Sequence, residues 1–285
     1  MNEDGQKYID SHIHLYHRCY EDKGREIMRE TIETGYIDRV VIAPIDWDTN
    51  IVMREMFQEI EFGEYVSFAA GYHPKCVNHD SSWRAERKKQ FAEWLADKRT
   101  VAVKTGLDYA NKKLLDLQKE KQKDFMKMFI DYANGETGPD NRKRALELHI
   151  REAAEEAIEV LSEHPVKTNT EVHCFTYGYD VARRFMENGV EYFGIGGHIT
   201  LNDADDLRDA VSKLPLSSIL VETDGPFKMP QGIDFPRPAC MPDANVSTPL
   251  CLPRIVEVIA DIKHLPAGKV ADRIYQNTLE FFGWE

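Results

Sequence analysis

The run Tyr8-Ile9-Asp10-Ser11-His12-Ile13-His14-Leu15 places two histidines two residues apart among apolar neighbours. Alternate residues of a β-strand point to the same side, so His12 and His14 present both imidazoles to one metal ion only if this run is extended. An HxH pair often arises by chance, and its plain alternative is two polar residues at a strand end. Whether it binds metal therefore depends on what the other segments bring to it.

Outward from this run, strand-like and helix-like segments alternate to the end of the chain. Strands are expected over residues 8–14, 39–44, 66–72, 100–105, 144–149, 169–174, 191–196 and 218–224. Helical spacing of apolar residues falls between them, over 24–34, 50–62, 82–96, 113–133, 152–163, 179–187 and 203–214, and then over 249–263 and 267–281. Strand and helix alternating eight times in a chain near the usual length predict a (β/α)8 TIM barrel, with a doubly wound open sheet as the competing fold. The fifth strand is ambiguous, because Arg144-Ala145-Leu146-Glu147-Leu148-His149 is equally able to continue a helix. The loop Gly135-Glu136-Thr137-Gly138-Pro139-Asp140-Asn141 just before it lets a new element start. No repeat or linker divides the chain, so residues 1–285 are expected to form one domain.

Composition narrows the function classes. A hydrophobic content of 42% over 285 residues allows a large core, and no apolar run approaches the roughly 20 residues that span a bilayer. The N-terminus lacks the charged start and apolar core of a signal peptide, so a cytoplasmic, non-membrane protein is expected. Five scattered cysteines without CxxC spacing indicate neither a disulfide framework nor a thiolate zinc site. A net charge of −13 disfavours phosphate binding by the surface as a whole, yet cations in a pocket can reverse the sign locally. The basic clusters at residues 84–89 and 112–127 are expected to be solvated helix faces.

Barrel enzymes carry their active sites at the C-terminal ends of the strands. Metal-capable residues fall at the predicted ends: His12 and His14 on strand one, Lys104 on strand four, His149 on strand five, His173 on strand six and Asp224 on strand eight. A single strand-end histidine is usually only hydrogen-bonded, but five strands agreeing point to a metal site. Imidazole and carboxylate without thiolate suit zinc, manganese, iron or nickel in a catalytic setting.

These residues also carry a family resemblance that covers nearly the whole chain. Asp10-Ser11-His12-Ile13-His14-Leu15 resembles the opening D-x-H-x-H-L of TatD-family metal-dependent hydrolases, barrels of the amidohydrolase superfamily. In order follow Gly71-Tyr72-His73-Pro74, Gly106-Leu107-Asp108-Tyr109 and His149-Ile150-Arg151-Glu152-Ala153, similar to its G-x-H-P, G-L-D-Y and H-x-R-x-A. Val172-His173-Cys174-Phe175, Leu220-Val221-Glu222-Thr223-Asp224-Gly225-Pro226 and Asn277-Thr278 resemble its H-x-F, L-x-E-T-D-x-P and closing N-T segments. The resemblance implies one or two divalent ions, with Mg added to the candidates. His12, His14 and Asp224 would hold one ion and His149 and His173 the other. Asp224 is also the candidate general base, Glu222 a residue that orients a ligand, and His73 and Arg151 candidate substrate-binding groups.

One position departs from the family. Where the resemblance expects a metal-bridging Glu, this chain has Lys104, and an ammonium repels a metal rather than ligating it. Three outcomes stay open: a carboxylated Lys104 that restores the bridge, as in other superfamily barrels; a cationic Lys104 beside a single metal; or a dead site. The family implies phosphodiester cleavage in DNA. A small-molecule amidohydrolase, lactonase or phosphoesterase is the second enzyme reading, and a non-catalytic anion-binding barrel comes from another class. Nucleic acid or a small molecule is thus the expected partner, and oligomeric state is not legible.

Overall fold

The computed structural model describes residues 5–77, 85–137 and 142–284. In chain order these form β1 (Tyr8–Ile13), α1 (Gly24–Glu33), β2 (Ile37–Ile42), α2 (Trp47–Met56), β3 (Val66–Gly71), α3 (Pro74–Val77), α4 (Ala85–Ala96), β4 (Thr100–Asp108) and α5 (Asp116–Ala133). There follow β5 (Ala145–Arg151), α6 (Ala154–Glu163), β6 (Thr170–His173), α7 (Tyr179–Glu187), β7 (Tyr192–Ile195), α8 (Asp205–Lys213), β8 (Ile219–Val221), α9 (Leu252–Lys263) and α10 (Ala267–Phe282).

All eight strands are parallel and neighbour one another in sequence order, which excludes the doubly wound sheet, whose strand order reverses at a switch point. The sheet closes where β1 meets β8: Ile13 bridges Gly225, the Asp224 N–H donates to the His12 carbonyl, and the Ser11 hydroxyl donates to the Val221 carbonyl. Asp10 fastens this seam, accepting the Thr223 amide at 2.9 Å and the Thr223 hydroxyl at 2.6 Å. The first Asp of D-x-H-x-H and the Thr of E-T-D thus close the barrel. The ambiguous segment at 144–149 is strand, because it pairs on both sides, with Lys104 opposite Glu147 and Glu147 opposite Glu171.

Helix α2 shows how local sequence starts an element. Asp46 accepts the Thr49 amide while the Thr49 hydroxyl accepts the Asp46 amide, a reciprocal cap on a turn whose donors would otherwise lack partners. The apolar faces of the surrounding helices, such as Met126, Phe129, Ile130 and Ala133 of α5, pack on the outer face of the sheet. Lys119 to Lys127 lie on the solvent side of α5 or bridge to acids there, as expected; residue 84 of the first basic cluster and residues 138–141 of the predicted loop lie outside the described residues.

Side chains inside the barrel change character with height. Val41, Ala69, Ala102, Ala145 and Leu220 fill the lower end, and Phe281 and Phe282 of α10 close it. One step up, every second residue is polar: Lys104, Glu147, Glu171 and Glu222, all buried. The next step carries the histidines.

Several predicted strand ends require correction. Lys104 lies in the middle of β4, which runs on to Asp108, and His149 is followed by Arg151 in β5, because these strands pair without interruption from Ala102–Ala145 to Asp108–Arg151. Strand β8 ends at Val221, three residues before Asp224, whose φ of 48° takes the chain out of the sheet. Glycine permits the close approach of β4 and β5: at Gly106, with φ of 143°, a Cβ would lie 2.0 Å from the His149 carbonyl oxygen. Gly106→Ala is therefore expected to lower unfolding free energy by about 3 kcal/mol, read from the urea midpoint, by forcing the two strands apart.

Candidate metal centre

His12, Lys104, His149 and His173 come from β1, β4, β5 and β6, His14 follows β1 and Asp224 lies in the turn after β8; all but His12 line one cavity, and His12, His173 and Asp224 each offer a ligand atom within 4.8 Å of the others. His12 and His173 stack with ring centroids 3.9 Å apart, and Lys104 Nζ stands 3.0 Å from His12 Nε2. Above them opens a cavity of about 630 Å³, its wall formed in part by His14, His73, Lys104, His149, Arg151, His173 and Asp224. His12, fully buried, lies beneath the wall.

Each histidine has an oxygen behind it, and with the ring proton assigned to that side the opposite nitrogen is free to ligate. His12 Nδ1 faces Glu147 Oε2 at 2.9 Å, and His14 Nδ1 faces the Ala43 carbonyl at 2.6 Å. His173 Nδ1 lies 3.3 Å from Glu222 Oε1, the oxygen that also accepts the Cys174 amide at 2.7 Å. His149 Nε2 lies 3.3 Å from Asp108 Oδ2, and the Asp108 carboxyl is held at about 2: burial raises it, but the His149 contact and the Lys75 charge outweigh that, so it is an ionised acceptor. The opposite nitrogens of all four rings are consequently bare lone pairs aimed inward.

Two of those lone pairs face each other. His149 Nδ1 and His173 Nε2 are 3.1 Å apart, whereas the contact of His14 Nε2 with Asp224 Oδ1 at 3.5 Å is an attractive one that favours the ionised carboxylate. Two ring-nitrogen acceptors at such a distance repel unless a cation lies between them. Protons do not fill that role near neutrality. Burial, with the Lys104 charge reinforcing it, drives His14 and His149 to about 4 and His173 to about 3, and takes His12 well below the ordinary imidazole range. Asp224 is held at about 2: burial raises it, and the His14 contact, His173 and Lys104 together outweigh burial. The donor set of imidazoles and carboxylate is the chemistry of a divalent transition-metal site.

Lys104 is 1% exposed, and burial lowers its pKa against the opposing pull of Asp224, Glu147 and Glu222. That pull is weaker than three carboxylates suggest. Burial pushes Glu147 up to about 8 and carries Glu171 and Glu222 well above the carboxylate range. Among the described residues, Glu147 Oε1, both Glu171 oxygens and Glu222 Oε2 have no hydrogen-bond partner, so no donor favours their ionised forms at these atoms.

A second group, His73, Asp108 and His149, also offers three ligand atoms within 4.8 Å of one another. Its groups are already engaged: Asp108 Oδ2 holds His149 and lies 3.3 Å from Lys75 Nζ, and His73 Nδ1 accepts the Lys75 amide at 3.2 Å. With Nδ1 accepting, a neutral His73 carries its proton on Nε2 and serves as a donor.

A sequence model of the family described as TatD related DNase matches residues 9–283. The chain belongs to the TatD family. It is 26% identical over 281 residues to YabD of Bacillus subtilis, named an uncharacterized metal-dependent hydrolase, with 96% of this chain and 98% of that one covered. The crystal structure of YjjV, a TatD homologue from Escherichia coli K12, matches at a TM-score of 0.80 and 23% identity over 98% of both chains. A putative deoxyribonuclease TATDN1 homologue of Vairimorpha ceranae is 29% identical over 190 residues, 65% of this chain and 66% of its own. This TatD-family protein is a metal-dependent hydrolase, and its His and Asp groups are candidates to bind the metal.

The residues that sequence reasoning missed in this TatD chain are the holders, Glu147, Asp108 and the Ala43 carbonyl, and two cavity residues after β8, Phe227 and Lys228. Two signals were present: Glu147 lies two residues before His149 as Glu222 lies two before Asp224, and Asp108 belongs to the G-L-D-Y motif. Glu147→Ala and Asp108→Ala are expected to weaken zinc or manganese binding about 10- to 100-fold in competition titrations with a chelating dye while the chain stays folded.

Proposed function

We propose that this protein hydrolyses phosphoesters with a water activated in the centre between His12, His14, Lys104, His149, His173 and Asp224. The observation that carries the reading is the convergence of ligand atoms: His12, His173 and Asp224 each offer one within 4.8 Å of the others, and His149 Nδ1 stands 3.1 Å from His173 Nε2. Divalent ions held by these residues would lower the pKa of a bound water and polarise the ester under attack. The sequence pattern assigns His12, His14 and Asp224 to one ion and His149 with His173 to the other; in the fold, His173 lies with His12 and Asp224, their ligand atoms within 4.8 Å of one another.

Lys104 supplies the link between the groups as a carbamate. Its neutral amine attacks carbon dioxide, an N–C bond forms, and one amine proton leaves to solvent, giving a carboxylate where the family has Glu. Burial and the neutral acids around Lys104 favour the amine that this step needs. Asp224, ionised at neutral pH and bordering the cavity, takes the proton of the attacking water. His73 donates Nε2–H toward an oxygen of the substrate.

The cavity wall also carries Lys75, Arg151 and Lys228. In a chain of charge −13, cations gathered at one mouth favour an anionic phosphoester over a neutral amide or lactone. DNA is the substrate suggested by the family description and by the TATDN1 homologue's name. The Lys-for-Glu change supports the second reading, a small-molecule esterase or amidohydrolase with carboxylated lysine.

Zinc- or manganese-loaded protein is expected to hydrolyse bis(p-nitrophenyl) phosphate, to lose that activity with EDTA and recover it on metal addition. Asp224→Asn should lower kcat about a hundredfold to ten-thousandfold. Absence of hydrolysis on this ester, on single-stranded DNA and on p-nitrophenyl phosphate would contradict the proposal. If DNA is the substrate, its KM rises steeply between low and physiological salt, whereas that for a small ester changes far less.

A further inference from the structure

We infer that the mouth of the cavity is built for a terminal phosphate, so that the substrate is a phosphomonoester whose dianionic group sits between Arg151 and Lys228; this rests on the phosphoester reading above. Strand alternation puts Glu147, His149 and Arg151 on one face of β5, so Arg151 stands one step above His149 toward solvent. Lys228 rises from the turn after β8. Its backbone is fixed there: φ is 51°, the neighbouring Phe227 amide donates to the Asp224 carbonyl at 2.9 Å, and the Lys228 carbonyl oxygen lies 2.0 Å from where a Cβ on Gly197 would be. Lys228 borders the cavity together with His173, Cys174 and Arg151.

These two cations differ from the neighbouring lysines in their pairing. Lys75 is paired with Asp108 and the nearby Lys112 with Glu152, whereas among the described residues neither Arg151 nor Lys228 forms an ion pair, although the chain has 49 acidic side chains against 36 Lys and Arg. Two exposed cations at the mouth of a cavity in an acidic protein focus a positive potential on it. A guanidinium fork and an ammonium from different walls match the several free oxygens of a monoester, which carries two charges; a diester carries one charge and a second substituent that needs its own exit. Phe227, 42% exposed with its ring edge-on to His14 and His17, offers an apolar face to the single organic group. In the reaction the water oxygen bonds to phosphorus, the ester P–O bond breaks, and the proton taken up by Asp224 passes to the departing alkoxide, leaving an alcohol and inorganic phosphate.

The test measures steady-state hydrolysis of p-nitrophenyl phosphate and bis(p-nitrophenyl) phosphate by metal-loaded wild type, Arg151→Ala, Lys228→Ala and Lys228→Arg, with inorganic phosphate binding followed by calorimetry. Each alanine variant is expected to raise the monoester KM about tenfold or more, the effect of one charge-assisted hydrogen bond, with a much smaller change for the diester, and Lys228→Arg is expected to restore most of the loss. Phosphate binding weakens in parallel. Equal KM changes on both esters, or none on the monoester, would overturn the inference. If wild type cleaves neither ester, the phosphoester reading itself fails, and calorimetry then decides the clamp alone: about tenfold weaker phosphate binding in both alanine variants upholds it, and unchanged binding overturns it.

Discussion

Two ring nitrogens, His149 Nδ1 and His173 Nε2, face each other at 3.1 Å, and the organisation of the site follows from that contact. Neither can donate to the other while Asp108 and Glu222 hold the protons on the far sides of the rings. The barrel enforces the confrontation through strand register, because His149 and His173 are direct partners across β5 and β6. Lone pairs forced together in a buried place are an energetic cost that a divalent cation turns into a gain. The αL turn after β8 brings the Asp224 carboxylate to 3.5 Å from the His14 imidazole, adding a carboxylate to the same layer.

Beneath this layer lies the chain's departure from its family. Lys104, Glu147 and Glu171 are neighbours in register on β4, β5 and β6, so the position of the family's bridging Glu holds a cation with carboxyl groups beside it. Lys104 Nζ rests 3.0 Å from His12 Nε2, the nitrogen that a metal would use. As an ammonium, Lys104 competes with metal for His12; as a carbamate, it joins the metal's ligands. The burial of its neighbours tilts this balance, since neutral glutamic acids stabilise an ammonium less than carboxylates do. Glu147 serves twice, orienting His12 and setting the field at Lys104.

Much of this was legible in the sequence because strand geometry has a period of two. A two-residue spacing marked His12 with His14 and Glu222 with Asp224, although β1 ends at Ile13 and β8 at Val221, and the alternation of elements was enough to place them around one barrel mouth. The holders were not legible: Glu147 reaches His12 across 135 positions and Asp108 reaches His149 across 41, distances at which no local pattern constrains a pair. Strand ends were misjudged where pairing overrides local composition. Residues 105–108 continue β4 only because β5 lies beside them, and 222–224 leave the sheet because β7 ends at Ile195 and the turn at Asp224 has begun. Lys228 was hidden for a similar reason, since only the folded turn against Gly197 directs it to the cavity.

The most direct test of the account is the state of Lys104 in protein purified without chelator and supplied with zinc and carbon-13 bicarbonate. Metal content by mass spectrometry should approach two ions per chain, a carbamate carbon-13 resonance should be present, and both should be lost in Lys104→Ala, whereas Lys104→Glu should keep two ions without bicarbonate. A single ion or none in the wild type, with no carbamate signal, would show Lys104 to be a fixed cation and contradict the bridged centre.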